Sequence, residues 1–363
     1  MARLVHLSDL HFGAHDEELV EAVEAKIDAL KPDLVVISGD FTQRARTEQF
    51  REACHFLEQL QERGHEVLGV PGNHDVPLYD VLRRFLSPLT RYRRFIDETL
   101  CPFIELSGVA VLGINTARSL TFKDGRISRD QITFIRDTFA RTPSEAVRVL
   151  VTHHPLFAVK VGEQVERAVG RNELALDAIE EAGVDLLLAG HAHHASVHSA
   201  NELVTRAGGA LVIQAGTATS TRVREQNQSF NVIDVEDGHV TLTVECWGGD
   251  VFAPMDARRY DYHDGAWRIL NVSAGGDDTW INVLAHRWRS ESSLAVIVAN
   301  LGTVASQAHV DVAGDLPPGQ SFDFTDRLTG DTYRWSREAL SARGLWVRLA
   351  PGRAHLFTVQ AGR

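Results

Sequence analysis

Cysteine is scarce in this sequence of 363 residues, since Cys54, Cys101 and Cys246 lie far apart and no Cys-x-x-Cys pair occurs. An odd number of widely separated cysteines does not indicate a disulfide framework. The lack of paired cysteines also gives no support to a cysteine-ligated zinc site. We therefore expect reduced cysteines in the core of the protein.

The sequence also lacks long apolar runs. No stretch of about 18 consecutive apolar residues occurs, and the N-terminal segment enters a short strand pattern without the apolar region of a signal peptide. We therefore expect no membrane span and a cytoplasmic location.

An excess of basic residues is absent as well. The chain has 49 acidic and 37 basic residues, which gives a formal net charge of −12 at pH 7. This balance disfavours broad electrostatic capture of nucleic acid, although a local basic patch can exist within an acidic average. One basic cluster comprises Arg83, Arg84, Arg91, Arg93 and Arg94. It can be a solvated helix face or a rim that guides an anionic substrate.

The overall composition is that of a globular protein, with 44% hydrophobic and 24% charged residues. Helical and strand patterns alternate in the first part of the chain, whereas from Asn271 onward short strand-like runs lie between turns. We predict a catalytic domain over residues 1–271 and a small accessory all-β domain, a β-sandwich, over residues 272–363.

Apolar spacing predicts helices over residues 17–30, 47–63, 128–141 and 173–182, and two short helices within residues 78–100. Apolar, largely β-branched runs predict strands over residues 4–7, 33–38, 66–70, 109–114, 147–152, 184–189 and 211–214. A hairpin is predicted from residues 230–235 and 239–245.

Five of the predicted strands end in clusters of Asp, His or Asn. Such clusters are typical of sites in α/β proteins, which lie at the carboxyl ends of the sheet strands. The potential ligands are Asp9, His11, Asp40, Asn73, His153, His191 and His193. We expect them to converge.

The ligand types indicate which ions could bind. Imidazole and carboxylate groups suit Mn, Fe, Zn or Co, whereas Mg or Ca would favour oxygen ligands alone. Seven ligands are too many for one tetrahedral ion, but they suit two ions that share a carboxylate. Two ions about 3.5 to 4 Å apart can hold the attacking and leaving oxygens of a phosphoryl displacement.

The ordered set of motifs resembles the calcineurin-like metallophosphoesterase superfamily: Asp9-x-His11, Gly39-Asp40, Gly72-Asn73-His74-Asp75, His153 and Gly190-His191-x-His193. The segments His153-His154-Pro155 and 216–220 make the sequence most similar to the branch of class III cyclic-nucleotide phosphodiesterases. The resemblance covers about residues 1–270. It implies an α/β fold, a four-layer sandwich of two mixed β-sheets flanked by helices.

The resemblance also implies the role of each site residue. Asp9, His11 and His193 would bind one metal ion, Asn73, His153 and His191 the second, and Asp40 would bridge the two ions. A bridging hydroxide would be the nucleophile. His74 would donate a proton to the leaving group, and Asp75 would fix the tautomer of His74. We expect Asp40, His74 and Asp75 to be catalytic, and Asn73, His74 and His154 to contact the substrate.

The implied activity is hydrolysis of a small phosphodiester, a cyclic nucleotide or a similar compound, by a dinuclear metal centre. The alternatives within the same chemistry are a nuclease and a hydrolase of nucleotide-sugars or glycerophosphodiesters. From other classes, a non-catalytic scaffold and a glycan-targeted binding protein remain open. The C-terminal part faintly resembles the terminal β-sandwich of glycoside hydrolase family 13 proteins, through residues 326–330 and 351–359. It could also mediate homo-oligomers.

Overall fold

The structure is a computed structural model, and it describes the following residues: 2–121, 124–143, 145–156, 159–161, 164–166, 169–191, 204–207, 210–221, 227–236, 239–261, 266–289 and 293–362. The chain divides into two compact units, Met1–Tyr262 and His263–Arg363. The division falls before the strand Ala266–Ile269 because that strand pairs with Val283–Arg289. A catalytic domain that ends at residue 271 and an accessory domain that begins at residue 272 stay predictions.

The strands of the first unit are β1 (Ala2–Leu7), β2 (Leu34–Ile37), β3 (Val67–Gly69), β4 (Phe103–Leu106), β5 (Val109–Ile114), β6 (Val147–Thr152), β7 (Val159–Val161), β8 (Gln164–Glu166), β9 (Leu186–Ala189), β10 (Val204–Ala207), β11 (Ala210–Gln214), β12 (Ser229–Glu236), β13 (His239–Trp247) and β14 (Phe252–Asp261). The helices are α1 (Glu17–Leu30), α2 (Thr47–Glu62), α3 (Val81–Leu86), α4 (Thr90–Phe95), α5 (Arg129–Phe139) and α6 (Asn172–Glu181). A 3₁₀ turn spans Asn73–Asp75.

Two mixed six-stranded sheets organise this unit, with the strand orders β14-β13-β12-β1-β2-β3 and β10-β11-β9-β6-β5-β4. The strands β1, β2 and β3 are parallel to one another, and so are β5, β6, β9 and β11. In each sheet, the carboxyl ends of the parallel strands therefore meet at one edge. The predicted hairpin is confirmed as the antiparallel pair of β12 and β13.

The helix boundaries follow from local chemistry. The side chain of Asp16 accepts a hydrogen bond from the backbone N–H of Glu18 and caps α1. Ser128 caps α5, and Gln131 completes the capping box. Among the helices that the structure describes, none is both long and apolar enough to cross a membrane.

The packing of the cores shows the four layers. Alternate residues of one strand enter different cores, because successive side chains of a strand point to opposite faces. Leu4 belongs to a core between the two sheets, which also contains Val149 of the second sheet. Val5 packs instead with α1 and α2, and Leu150 packs with α5 and α6. The layers are thus helix, sheet, sheet and helix, which confirms the predicted fold class.

The second unit has its own core and is built from strands. They are β15 (Ala266–Ile269), β16 (Val272–Ala274), β17 (Val283–Arg289), β18 (Leu294–Asn300), β19 (Ser306–Val310), β20 (Ser321–Asp326), β21 (Thr332–Ser336), β22 (Leu345–Leu349) and β23 (Ala354–Ala361). They form sheets with the orders β15-β17-β18-β23-β20-β21 and β16-β19-β22, and a short helix, α7 (Arg337–Arg343), follows β21. Phe324, Val347 and their neighbours fill the core of this unit.

Candidate metal centre

The polar clusters at the strand ends come together in the first unit. The loops after β1 and β2 are joined by backbone hydrogen bonds, from Asp9 N to Gly39 O at 3.1 Å and from His11 N to Asp40 O at 2.9 Å. In the second sheet, Gly190 N donates to His153 O at 3.1 Å. Predicted ligands from both sheets thus share one site: Asp9, His11, Asp40, Asn73, His153 and His191. The seventh, His193, lies outside the described residues.

The backbone is strained at four of these positions. Asp9, His11, Asp40 and His191 have positive φ angles of 54°, 51°, 54° and 71°, a region that non-glycine side chains rarely adopt. Such strain persists only where the surrounding structure holds it, and it concentrates at functional sites. The conformation of these loops therefore marks the site independently of the side chains.

Two glycines allow the loops to approach closely. A Cβ atom on Gly72 would lie 2.1 Å from Asp40 Oδ1, well inside van der Waals contact. Gly39 has a φ of 101°, and a Cβ atom there would lie 2.7 Å from the Nδ1 atom of His153. Side chains at these positions would push the carboxylate and the imidazole out of place.

Asp40 lies at the centre of the cluster and is fully buried. Its Oδ1 atom accepts a hydrogen bond from the backbone N–H of His74 at 2.8 Å. Its Oδ2 atom lies 3.3 Å from His153 Nε2 and 3.9 Å from His11 Nε2. The carboxylate is therefore placed between two imidazoles that come from different sheets.

His153 turns its Nε2 atom toward this carboxylate. Its Nδ1–H group donates to the carbonyl oxygen of Ser38 at 2.7 Å, so Nε2 is the atom that faces Asp40 and Asn73 Oδ1, the latter at 3.1 Å. Three acceptor atoms that converge at such distances repel one another unless a cation lies among them. A metal ion or a proton on His153 would satisfy all three.

The pKa values of His153 and Asp40 agree with a need for positive charge between them. Burial lowers the pKa of His153, but Asp40 and other partners raise it by more, to about 9. Burial raises the pKa of Asp40, but the histidines around it hold that pKa well below its usual range. The carboxylate is thus ionised, and in the absence of a metal ion the adjacent imidazole carries a proton.

Asp9 and His11 form the other half of the site. The hydroxyl of Ser8 donates to Asp9 Oδ2 at 2.6 Å, and the backbone N–H of His191 donates to the same atom at 3.1 Å. His11 Nε2 lies 3.5 Å from Asp9 Oδ1. Burial lowers the pKa of His11, but Asp9 and Asp40 raise it to above its ordinary value. The site therefore favours a positive charge here as well.

Three imidazoles make up a second group of candidate ligands. The ligand atoms of His153, His154 and His191 lie within 4.8 Å of one another, as do those of Asp9, Asp40 and His153. His191 Nδ1 is 3.3 Å from His153 Nε2. His154 Nδ1 lies 2.8 Å from the hydroxyl of Thr116. His154, predicted as a substrate contact, thus also lies within reach of a metal ion.

His74 is held by a contact that the sequence did not predict. Its Nδ1–H group donates to the backbone carbonyl of Gln43 at 2.8 Å, and its ring packs edge-on against His11, with 4.8 Å between the centroids. Asp75 instead accepts hydrogen bonds from the N–H groups of Gly72, Phe41 and Thr42. The prediction that Asp75 fixes the tautomer of His74 is therefore wrong, because its carboxylate is occupied in joining two loops.

The segment 216–220 supports the loop after β1. Ala218 N donates to Ser8 O at 3.1 Å, and the hydroxyl of Thr219 donates to Leu10 O at 2.7 Å. Thr219 and Ser220 are fully buried. The segment 216–220 thus holds the backbone of the loop that carries Asp9 and His11.

Residues 2–195 match the family of calcineurin-like phosphoesterases, which is more than half of the chain. The chain belongs to this family. The predicted superfamily is thereby confirmed, and membership supports hydrolysis of phosphoric esters at a metal-binding site.

Two curated relatives match shorter parts of this phosphoesterase. UDP-2,3-diacylglucosamine pyrophosphatase LpxG from Chlamydia trachomatis is 38% identical over 81 residues, which are 21% of this chain and 23% of the relative. The DNA double-strand break repair protein Mre11 from Methanopyrus kandleri is 30% identical over 86 residues, which are 20% of this chain and 19% of the relative. The chain thus spans less than a quarter of the length of each.

A solved structure shares the fold. The dimetal phosphatase from Danio rerio aligns over 72% of this chain and 99% of its own, with 12% identity and a TM-score of 0.52. At this identity, the likeness concerns the fold alone.

The residues at the site fit a bound cation by their chemistry. Carboxylate, amide and imidazole groups converge from five strand ends, and the lone pairs of His153 and its neighbours face one another. Sequence reasoning missed the groups that hold these side chains: Ser38, Gln43 and Thr116. Two of these contacts are made through backbone carbonyls, which carry no signature in a sequence.

Proposed function

We propose that this phosphoesterase is a metal-dependent phosphodiesterase that hydrolyses a small phosphodiester, such as a cyclic nucleotide. The observation that carries the proposal is the position of His153 Nε2, which lies 3.1 Å from Asn73 Oδ1 and 3.3 Å from Asp40 Oδ2, in a site shared with Asp9 and His11. These are ligand types that suit borderline divalent ions.

The proposed assignment places Asp9 and His11, together with His193, on one ion. Asn73, His153 and His191 would hold the second, and Asp40 would contact both. When bound, such ions polarise the phosphoryl group and make water a better nucleophile near neutral pH. The proposed metals are Mn, Fe, Zn or Co, and the proposed location is the cytoplasm.

His74 would protonate the leaving group. Because Nδ1–H is engaged by the Gln43 carbonyl, His74 would act as an acid only with a second proton bound at Nε2, which would then pass to the departing oxygen. Its ring contact with His11 and its backbone bond to Asp40 keep it at the edge of the metal site. We expect it to act on turnover rather than on metal affinity.

His154 would orient the substrate. The hydroxyl of Thr116 accepts from the backbone N–H of His154 at 3.3 Å, so its own hydrogen can be donated to His154 Nδ1 at 2.8 Å. This arrangement would place a hydrogen on Nε2, which could then donate to a phosphoryl oxygen. His153 has the opposite tautomer, which suits a metal ligand.

A purified full chain loaded with Mn should hydrolyse bis-p-nitrophenyl phosphate. Asp40→Asn and His191→Ala should lose both activity and metal content, measured by mass spectrometry, whereas the exposed Asp137→Asn serves as the matched control. Full activity in Asp40→Asn with full metal content would contradict the mechanism. A wild-type protein that retains no metal would favour the scaffold alternative.

A second candidate is hydrolysis of the diphosphate of a nucleotide-linked sugar. It is favoured by the match to a UDP-2,3-diacylglucosamine pyrophosphatase over 81 residues. Both reactions break a phosphorus–oxygen bond of a disubstituted phosphate, so the same residues would serve. Comparing kcat/KM for cyclic nucleotides and for UDP-sugars with the same metal-loaded preparation would separate them. The C-terminal unit is proposed to be accessory, with a role in oligomers or glycan binding.

A further inference from the structure

We propose that an apolar rim beside the metal centre docks the protein on a bilayer surface that carries anionic headgroups. The rim is defined by seven exposed side chains: Leu78, Tyr79, Val81, Leu82, Phe85, Leu86 and Leu120. Their exposed fractions run from 43% to 80%, so they form no part of the core. Contiguous apolar groups at this exposure mark interaction sites rather than ordinary surface.

The helix at the centre of the rim has its amphipathic pattern reversed. In α3 the buried residue is Arg84, which is 3% exposed, whereas Leu82 and Leu86 are 72% and 75% exposed. A surface helix normally turns its apolar side inward. Among the residues that the structure describes, this helix keeps its apolar side outward, where an apolar partner would bury it.

Arg84 fixes the rim in place. Its guanidinium donates to three backbone carbonyl oxygens, those of Ser119 at 2.7 Å, Pro77 at 2.9 Å and Thr121 at 3.1 Å. These bonds join α3 to the loop that carries Leu120. The apolar side chains on the two segments are therefore presented together on a preformed surface, and less ordering is needed on binding.

The rim adjoins the metal centre. Leu78 follows Asp75 by three residues, and the ring of Tyr79 lies 5.7 Å from the guanidinium carbon of Arg44, in the loop after Asp40. On the other side, Leu120 follows Thr116, the partner of His154, by four residues. A bilayer that contacts the rim would thus lie next to the site.

The charge around the rim identifies the partner. Residues 75–98 contain five arginines and four acidic residues, a formal charge of +1, and Arg84 is buried while Arg83 pairs with Asp80. The basic groups available at the rim are exposed arginines, and one of them, Arg44, lies over the ring of Tyr79. Arg93 and Arg94 are exposed. Apolar side chains next to basic groups are the pattern of interfacial membrane binding, because hydrocarbon burial and attraction to anionic lipids act together.

The same charge argues against a second copy of this chain as the occupant. A symmetric dimer buries the same surface patch of both subunits. It would bring the exposed arginines Arg44, Arg93 and Arg94 of both subunits to one interface, and like charges across an interface are unfavourable. The docking does not depend on the proposed activity, since it rests on the rim alone.

The test is flotation of the full chain with vesicles of phosphatidylcholine, either alone or mixed with phosphatidylglycerol. We expect binding that increases at least about tenfold with the anionic lipid. Leu82→Asp and Phe85→Asp should each reduce binding by about tenfold, because a charge replaces an inserted side chain. Leu328→Asp, at a position of 62% exposure in the other unit, is the matched control and should bind like the wild type.

A double variant separates the attraction to anionic lipids from the burial of apolar side chains. Arg93→Glu with Arg94→Glu should abolish the preference for anionic vesicles. The variants of Leu82, Phe85 and Leu328 should keep their unfolding temperature and their hydrolysis of bis-p-nitrophenyl phosphate, since none of these three side chains belongs to the site. Absence of vesicle binding, or equal loss of binding in Leu328→Asp, would overturn the proposal. A concentration-dependent dimer that Leu82→Asp disrupts, without vesicle binding, would overturn it in favour of a second copy.

Discussion

At the scale of single residues, hydrogen bonds at Nδ1 orient three histidines of the site. His153 and His74 both donate from Nδ1 to a backbone carbonyl, of Ser38 and Gln43 respectively, whereas His154 Nδ1 faces a hydroxyl. The hydrogen bond at one ring nitrogen sets what the other can do. The Nε2 atom of His153 would thus bind a metal ion through its lone pair, whereas His74 would also need a proton on Nε2 to act as an acid.

Replacing His74 by Asn should lower kcat at least about a hundredfold, because a positioned acid is lost. The metal content should stay that of the wild type, since His74 is not among the proposed ligands. Steady-state kinetics and metal analysis on the same preparation would check this. If metal loss accompanied the loss of turnover, His74 would have to be a ligand.

His6 makes stability depend on pH. It is fully buried beside Ser38, and burial lowers its pKa to about 3. In the unfolded chain it gains a proton below about pH 6.5, whereas the folded protein cannot take one, so stability falls as the pH falls from 6.5 toward 3. Between pH 7 and pH 5 this residue should cost about 2 kcal/mol.

Urea unfolding at these two pH values would measure the loss. In His6→Asn the loss between pH 7 and pH 5 should be smaller by about 2 kcal/mol, because no imidazole titrates at that position. Other acid-sensitive groups are the same in both proteins and cancel in the comparison. An equal acid dependence of the two proteins would show that His6 has no such role.

At the scale of elements, periodicity predicted most helices and strands of the first unit. The helix over residues 17–30 and the strands over residues 109–114 and 147–152 agree with the structure at both ends. Five strands of the first unit were missed: β4, β7, β8 and β10, which have only three or four residues each, and β14, which contains a proline and four charged residues. The two short helices within residues 78–100 were predicted, but the burial of Arg84 was not, since it depends on carbonyl groups from another loop.

The loops after β2 and β3 approach each other closely at Gly72 and Asp40, and a substitution can test this contact. Gly72→Ala should lower activity at least about a hundredfold, because the new methyl group would displace Asp40 from its position between the imidazoles. Gly314→Ala is the matched control, since its Cβ atom meets no atom within 4 Å. Activity assays and metal analysis of both variants would check this. Equal activities would mean that the loop yields without moving Asp40.

At the scale of the whole molecule, each unit has a hydrophobic core of its own. Phe324 is fully buried in the core of the second unit, among residues of that unit alone. Phe324→Ala should therefore lower the stability of that unit by about 4 kcal/mol. Calorimetry should show the change, while metal content and phosphoesterase activity at 25 °C stay those of the wild type. Loss of activity in Phe324→Ala would show that the first unit depends on the core of the second.

The sequence by itself determined the chemistry of this protein and much of its local structure. Asp, His and Asn directly after apolar runs specify a metal site at strand ends, because side-chain type and spacing are properties of the chain. The tertiary structure decided which groups hold these side chains. It placed β12 beside β1, the Gln43 carbonyl against His74, and an arginine beneath an outward apolar helix. These contacts join segments that are remote in sequence, and backbone groups, identical in every residue, make many of them.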